Sequence, residues 1–234
     1  MINTQTLAGR TAAASAPSST LQKIGSIVAL LLGLFYAAFL ALFLFVLPSL
    51  GFDPSMFRDP PRFVAFVNAH YGLYYSASLI AVLLTPTIVV LVRALDERMR
   101  ATSASPSLVG IATTFGYIGA TILFLNELFQ YTSMTTFASA PPAFSAGVQT
   151  SVTFDMTNLG YFLALGVWIL LLSIAAIRDG GLPRGLAYFG ILVALGDWLA
   201  LFGLPLGALL MTIWFLAVGF VLWTGGASSS ERTS

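Results

Sequence analysis

IGSIVALLLGLFYAAFLALFLFVL, residues Ile24 to Leu47, decides the fold. It carries no charged side chain, and about 20 apolar residues at 1.5 Å per residue are what a helix needs to cross the hydrocarbon of a bilayer. The run outlasts the roughly 7 to 15 residue core of a secretory leader, and no small-x-small cleavage site follows it. It therefore reads as an uncleaved anchor and a first span.

Outward from it, runs of similar length recur at about Tyr71 to Leu95, Leu108 to Tyr131 and Leu159 to Ile177. From Leu186 to Trp223 the chain stays apolar for about twice one crossing. Gly203-Leu204-Pro205 supplies a helix stop and restart there. The expected fold is an all-α, polytopic transmembrane helix bundle of six spanning helices, at 24–47, 71–95, 108–131, 159–177, 186–202 and 206–223. A single long kinked helix remains the other reading of the last two. Residues 1–22, with TAAASAPSST, and residues 225–234 have no apolar helical face and read as disordered tails.

Composition agrees. Of 234 residues 58% are apolar and 8% charged, against about 25% charged in soluble domains. Arg10, Lys23, Arg93, Arg98, Arg100, Arg178, Arg184 and Arg232 fall on one side of the expected bundle, and only Arg58 and Arg62 on the other. The excess of basic residues places both termini in the cytoplasm, in a multi-pass protein of the inner (plasma) membrane. The formal charge of +1 gives no basic footprint, which excludes nucleic acid as a partner.

Between the first two spans, DPPRFVAFVNAH predicts a short helix opened by Pro60 and Pro61, with Phe63, Phe66 and Val67 on one face against the outer membrane surface. TSMTTFASAPPAFSAGVQTSVTF reads as a longer outer loop with room for a short helix around Ala143 to Gln149. RALDERMR, at the inner end of the second span, reads as a solvated helix extension, and Thr85-Pro86-Thr87 as a static kink.

Ionisable groups inside a span cost about 2.5–3.5 kcal/mol at the helix centre, which singles out Glu127 and Asp197. Both fall in the outer portions of their spans, on seams of small residues: Thr113, Gly116, Ala120 and Glu127; Ala187, Gly190, Ala194 and Asp197. Such seams let backbones approach and point the carboxyls inward. His70, Tyr74, Asn126, Gln130 and Asn158 gather at the same level, with Asp155 and Asn158 also fitting N-caps. Two readings stand side by side. The carboxyls are interhelical glue, or with these neighbours they bind an ion, a proton or a polar ligand head.

The absences are firm. With no Cys, one His and Lys23 as the only Lys, the chain cannot supply thiolate zinc or iron–sulfur sites, a bis-His haem or a mid-membrane Schiff base. No cofactor, no metal site and no catalytic residue is expected.

Three stretches carry a resemblance: DPPRFVAFVNAHYG, GLPRGLAYFGILVALG, and a last helix with a Trp and a Gly before a short polar tail. In these the chain is similar to a bacterial family of six-helix membrane proteins described as a domain of unknown function. The resemblance implies the six-span layout and carries no chemistry with it.

The expected function is a binding or accessory membrane protein with a polar cluster near the outer face. Its expected partners are membrane lipids, a small-molecule or lipid ligand, and a partner subunit or a second copy. The alternatives are a small ion- or proton-coupled transporter using Glu127 and Asp197, and a membrane-embedded enzyme. No spacing of nucleophile, base and orienting group supports the enzyme.

Overall fold

The computed structural model of the chain describes residues 19–137, 152–200 and 206–227, with side chains at all of these except 19, 57, 58, 60, 134–137, 152–158, 200, 226 and 227. The tail before Ser19, the expected short helix around Ala143 to Gln149 and the Gly203-Leu204-Pro205 turn lie outside the described residues. Those described are helical, with no strand among them.

Helix α1 spans Ser19–Ala41 and continues through a π-helical stretch, Leu42–Val46, to a last turn at Leu47–Ser49. Gly51, at φ +90°, lets the chain reverse there, and Leu47 O accepts from the Phe52 N–H at 3.0 Å. Helix α1 takes in the last four residues, 19–22, of the expected disordered tail. The reason is a tertiary bond: buried Gln22 donates to Ala94 O at 2.9 Å.

Asp53 caps a 3₁₀ turn, Pro54–Arg58, by accepting from the Ser55 N–H, which holds its carboxyl below the usual range. Asp59 caps α2, Pro60–Ala69, with prolines in its first turn where no donor is missed. The expected helix is present, but its apolar face does not lie on a membrane surface. Phe63, Phe66 and Val67 are buried against Leu47, Phe52 and Met56, joined by Leu42 and Phe43 of α1 and by Leu73 and Tyr74. This aromatic roof forms one end of the molecule, the cap end.

Helix α3, Tyr71–Leu84, passes through a 3₁₀ turn at Thr85–Thr87 into α4, Ile88–Arg100. Pro86 removes one backbone donor, and the Thr85 and Thr87 hydroxyls donate to Ala81 O and Leu84 O beside the break. Helices α5, Pro106–Phe137; α6, Val152–Asp179; α7, Arg184–Ala200; and α8, Leu206–Ala227, complete the order. The segments Thr20–Ser49, Tyr71–Arg100, Pro106–Ser133, Leu159–Asp179 and Leu206–Gly225 are long and apolar enough to cross a membrane.

Contacts fix the directions. Leu30 meets Gly219 and Gly33 meets Leu216, so α1 and α8 are antiparallel. Gly196 meets Gly207, and Trp214 lies beside Gly190, so α7 and α8 form an antiparallel hairpin rather than one kinked helix. The same reading makes α6 antiparallel to α7 (Trp198 at Gly166, Ser173 at Gly190) and to α5 (Leu165 at Gly119, Ile122 at Gly160). Helix α4 runs antiparallel to α5, with Asp96 at Thr113 and Val92 at Gly116. From α4 onward each helix packs on the next in the chain, and α1 closes the ring between α8 and α4. The start of α1 and the end of α8 therefore share one end of the bundle, the terminal end.

That end is stitched by polar groups. Asp96, expected in a solvated extension, is 2% exposed and binds Arg93 at 3.0 Å, Arg100 at 2.8 Å and the Thr113 hydroxyl at 2.7 Å. Burial follows from α5 crossing over it, which the mixed charges of RALDERMR do not disclose. Ser26 donates to Gly219 O at 2.6 Å, Arg98 to Gly181 O at 2.6 Å, and Ser103 to Asp179 at 2.7 Å. Above this layer Trp168 and Trp214, both fully buried, meet edge to face at 5.8 Å and fill the ring with Leu165, Ile169 and Phe215.

Ring closure depends on glycine. A Cβ on Gly33 would sit 3.1 Å from Leu216 N, and one on Gly219 would sit 3.1 Å from Leu30 N. Gly219→Val should lower stability by about 1–3 kcal/mol through overpacking, read as earlier thermal unfolding in detergent. Gly72→Ala, with nothing within 4 Å, should leave unfolding unchanged or slightly delayed.

Candidate functional site

Glu127 lies on α5 and Asp197 on α7, three residues before the last described residue of that helix. Gly207 approaches the Gly196–Asp197 backbone so closely that a Cβ there would lie 2.8 Å from Gly196 O. This contact fixes Asp197 beside the start of α8. Of the small-residue seams, Gly116 and Ala120 on α5 and Ala187, Gly190, Ala194 and Asp197 on α7 are buried, whereas Thr113 and Glu127 are half-buried.

Two phenols complete the group. Tyr36 of α1 and Tyr161 of α6 each lie within electrostatic reach of both carboxyls and of one another. The site therefore draws one ionisable group from each of four helices, in the cap-end half of the ring. Tyr36 packs on Phe215 at 5.6 Å and Tyr161 on Phe162 at 4.2 Å, so both rings stand on the apolar core below.

Asp197 is 2% exposed, and its Oδ2 has no hydrogen-bond partner. The Nε1–H of the adjacent Trp198 is also buried without an acceptor. Among the described residues the ion pairs all belong to Asp96 and Glu97; none reaches Glu127 or Asp197. Two carboxyls thus occupy an apolar bundle with no basic side chain beside them. Chemically, the group offers acceptor oxygens and two hydroxyls able to donate or accept. It suits a cation, a proton or a hydrogen-bond donor.

The remaining expected residues divide. Gln130 is half-buried one turn beyond Glu127, on the same face of α5. Asn126, the residue before Glu127, is buried at 1% exposure. His70 ends α2 with its ring 4.7 Å from that of Phe66, and Tyr74 stands edge-on to Phe63 and Phe66. Both belong to the roof, and no contact ties them to the carboxyls. Asn158 is in α6, and its side chain, like that of Asp155, is outside the described ones. No group of three His, Asp or Glu side chains is placed to hold a metal ion among the described residues.

Tyr36 and Tyr161 are absent from the sequence reading. Their signal was available: Tyr36 is the one polar side chain between Ile27 and Leu47, and a phenol in mid-span needs a partner.

The ring is loose where the cluster sits. From Leu34 to Val46 no residue of the first span is buried, and in α3 only Ala81 is. Helix α1 packs along α4 and α8 and α3 packs along α5, while α1 and α3 have no extended contact. The roof joins their cap ends.

An unpaired buried carboxyl costs stability, whereas a paired one holds the fold. Asp197→Asn should leave the melting temperature of the ligand-free protein unchanged or raised. Asp96→Asn should lower it by about 1–3 kcal/mol of stability, measured in the same detergent.

Compared with family models, curated proteins and solved structures, the chain matches none of them.

Proposed function

We propose that the chain is a six-span protein of the bacterial inner membrane, with both termini in the cytoplasm and the cap end outward, that binds a small ligand at Glu127, Asp197, Tyr36 and Tyr161. The observation that carries this reading is the buried, unpartnered oxygen of Asp197 in a group of four ionisable residues from four helices. Placing ionised groups inside a span costs about 2.5–3.5 kcal/mol each, and a site that keeps such a group unpaired reserves it for something bound.

Six spans are supported by α7. Its 17 residues rise about 26 Å, at the short end of what crosses a bilayer. It also lies antiparallel between α6 and α8, both long enough to cross. The eight-to-two split of basic residues supports the orientation. The filled core favours binding over the transporter alternative: Trp168 and Trp214 close the ring on the terminal side of the cluster, and no polar path continues through them.

Two experiments test this. Reporter fusions that are active only in the cytoplasm should be active at both termini and silent when inserted near residue 140; opposite activities at the two termini would remove one crossing. For the site, thermal unfolding of the purified protein should be followed across pH, metal ions, organic amines and lipids. A ligand at 100 times its Kd adds about 2.7 kcal/mol to the folded state. At least one class should stabilise the wild type and lose its effect in Glu127→Gln and Asp197→Asn. A screen in which every effect survives both substitutions would return the carboxyls to a packing role.

A further inference from the structure

We propose that the outward faces of α6 and α7 at the terminal end form a seat for one anionic phospholipid of the cytoplasmic leaflet, with Arg178 and Arg184 on its phosphate. The leaflet assignment rests on the reading that this end of the bundle lies at the cytoplasmic surface.

Charge at this end is unevenly committed. Arg93 and Arg100 bind Asp96 and Glu97, and Arg98 donates to Gly181 O. Asp179 accepts from the Ser103 hydroxyl at 2.7 Å. Arg178 and Arg184 are exposed, and neither makes an ion pair among the described residues. Uncompensated guanidiniums are matched by phosphate oxygens, which accept from the planar fork of N–H groups.

The turn between the two arginines sets their spacing. Arg178 lies in the last turn of α6 and Arg184 opens α7, with Gly180 and Gly181 at φ +93° and +91° between them. The turn is held from inside, since Arg98 Nε donates to Gly181 O at 2.6 Å and Leu182 is buried. Packed helices lie about 8–10 Å apart, a separation that two arginine side chains can bridge through one phosphate.

Behind each arginine an apolar stripe continues along its helix. On α7, Arg184, Tyr188, Leu192, Leu195 and Leu199 are exposed and recur at helical spacing on one face. On α6, Arg178, Ile174, Leu171, Val167 and Leu163 keep the same spacing, exposed at both ends and half-buried between. Charge, then a tyrosine, then leucines is the order in which a phospholipid presents phosphate, glycerol and acyl chain. Lys23 of α1 is also exposed, but the basic residues of the neighbouring α4 are engaged, and α8 has none among the described residues. The α6–α7 seam is thus the one where two uncommitted basic residues meet.

Native mass spectrometry of the purified full-length protein in detergent tests this, with dioleoylphosphatidylglycerol and dioleoylphosphatidylcholine as probes that share their chains. The wild type should retain one phosphatidylglycerol in preference to phosphatidylcholine. Retention should weaken about fivefold in Arg178→Gln or Arg184→Gln and about 25-fold in the double variant, with Lys23→Gln unchanged. Excess glycerol 3-phosphate, which has the phosphate without the chains, should not displace the lipid. Equal retention of the two lipids, an equal loss in Lys23→Gln, or displacement by glycerol 3-phosphate would overturn the proposal. Should the double variant fail to fold, a photoreactive phosphatidylglycerol added to the wild type should label α6 and α7, and labelling confined to other helices would overturn it. Binding in detergent is independent of topology: reporter fusions showing the reverse orientation would overturn only the leaflet, and absent lipid selectivity would overturn the seat while the orientation stands.

Discussion

Arg93, Arg100 and Thr113 converge on the Asp96 carboxylate, and this buried, fully partnered ion group holds the terminal end of the bundle together. Around it α4 is tied to α1 by Gln22, to the α6–α7 turn by Arg98, and to α5 by Thr113. The two half-exposed arginines keep access to solvent, which limits the desolvation cost of the arrangement.

Asp197 is the opposite case on the same scaffold. It is as deeply buried as Asp96, but it has neither a cation nor a full set of donors. The two aspartates differ in partnership, not in burial. One end of the ring is locked by polar bonds and filled by tryptophans. The other leaves an Asp197 oxygen without a donor below an aromatic roof.

Much of this was legible in the residues. Apolar runs of bilayer length marked the five helices able to cross, because length and the absence of charge are properties of a segment alone. Asp-Pro-Pro at residues 59–61 marked the start of α2 through capping chemistry that is equally local. What failed was partnership. RALDERMR displays charges without showing that α5 covers Asp96, and Phe63 and Phe66 show an apolar face without showing that Leu47 and Phe52 fill it. The same limit applies at the site. Glu127 and Asp197 stood out because charge is rare in a span, while Tyr36 and Tyr161 passed as ordinary aromatics until the ring brought four helices together. His70 and Tyr74 share a sequence neighbourhood with the cluster's level, yet the turn at His70 commits both to the roof.

The central claim is that the cap-half carboxyls are chemically available rather than consumed in packing. Infrared difference spectroscopy of the protein in lipid, recorded as organic or inorganic cations are added, reads the carboxyl band directly. The account predicts a change in that band which is reduced in Asp197→Asn and in Glu127→Gln. A band that no cation perturbs, in a protein that remains folded, would contradict it.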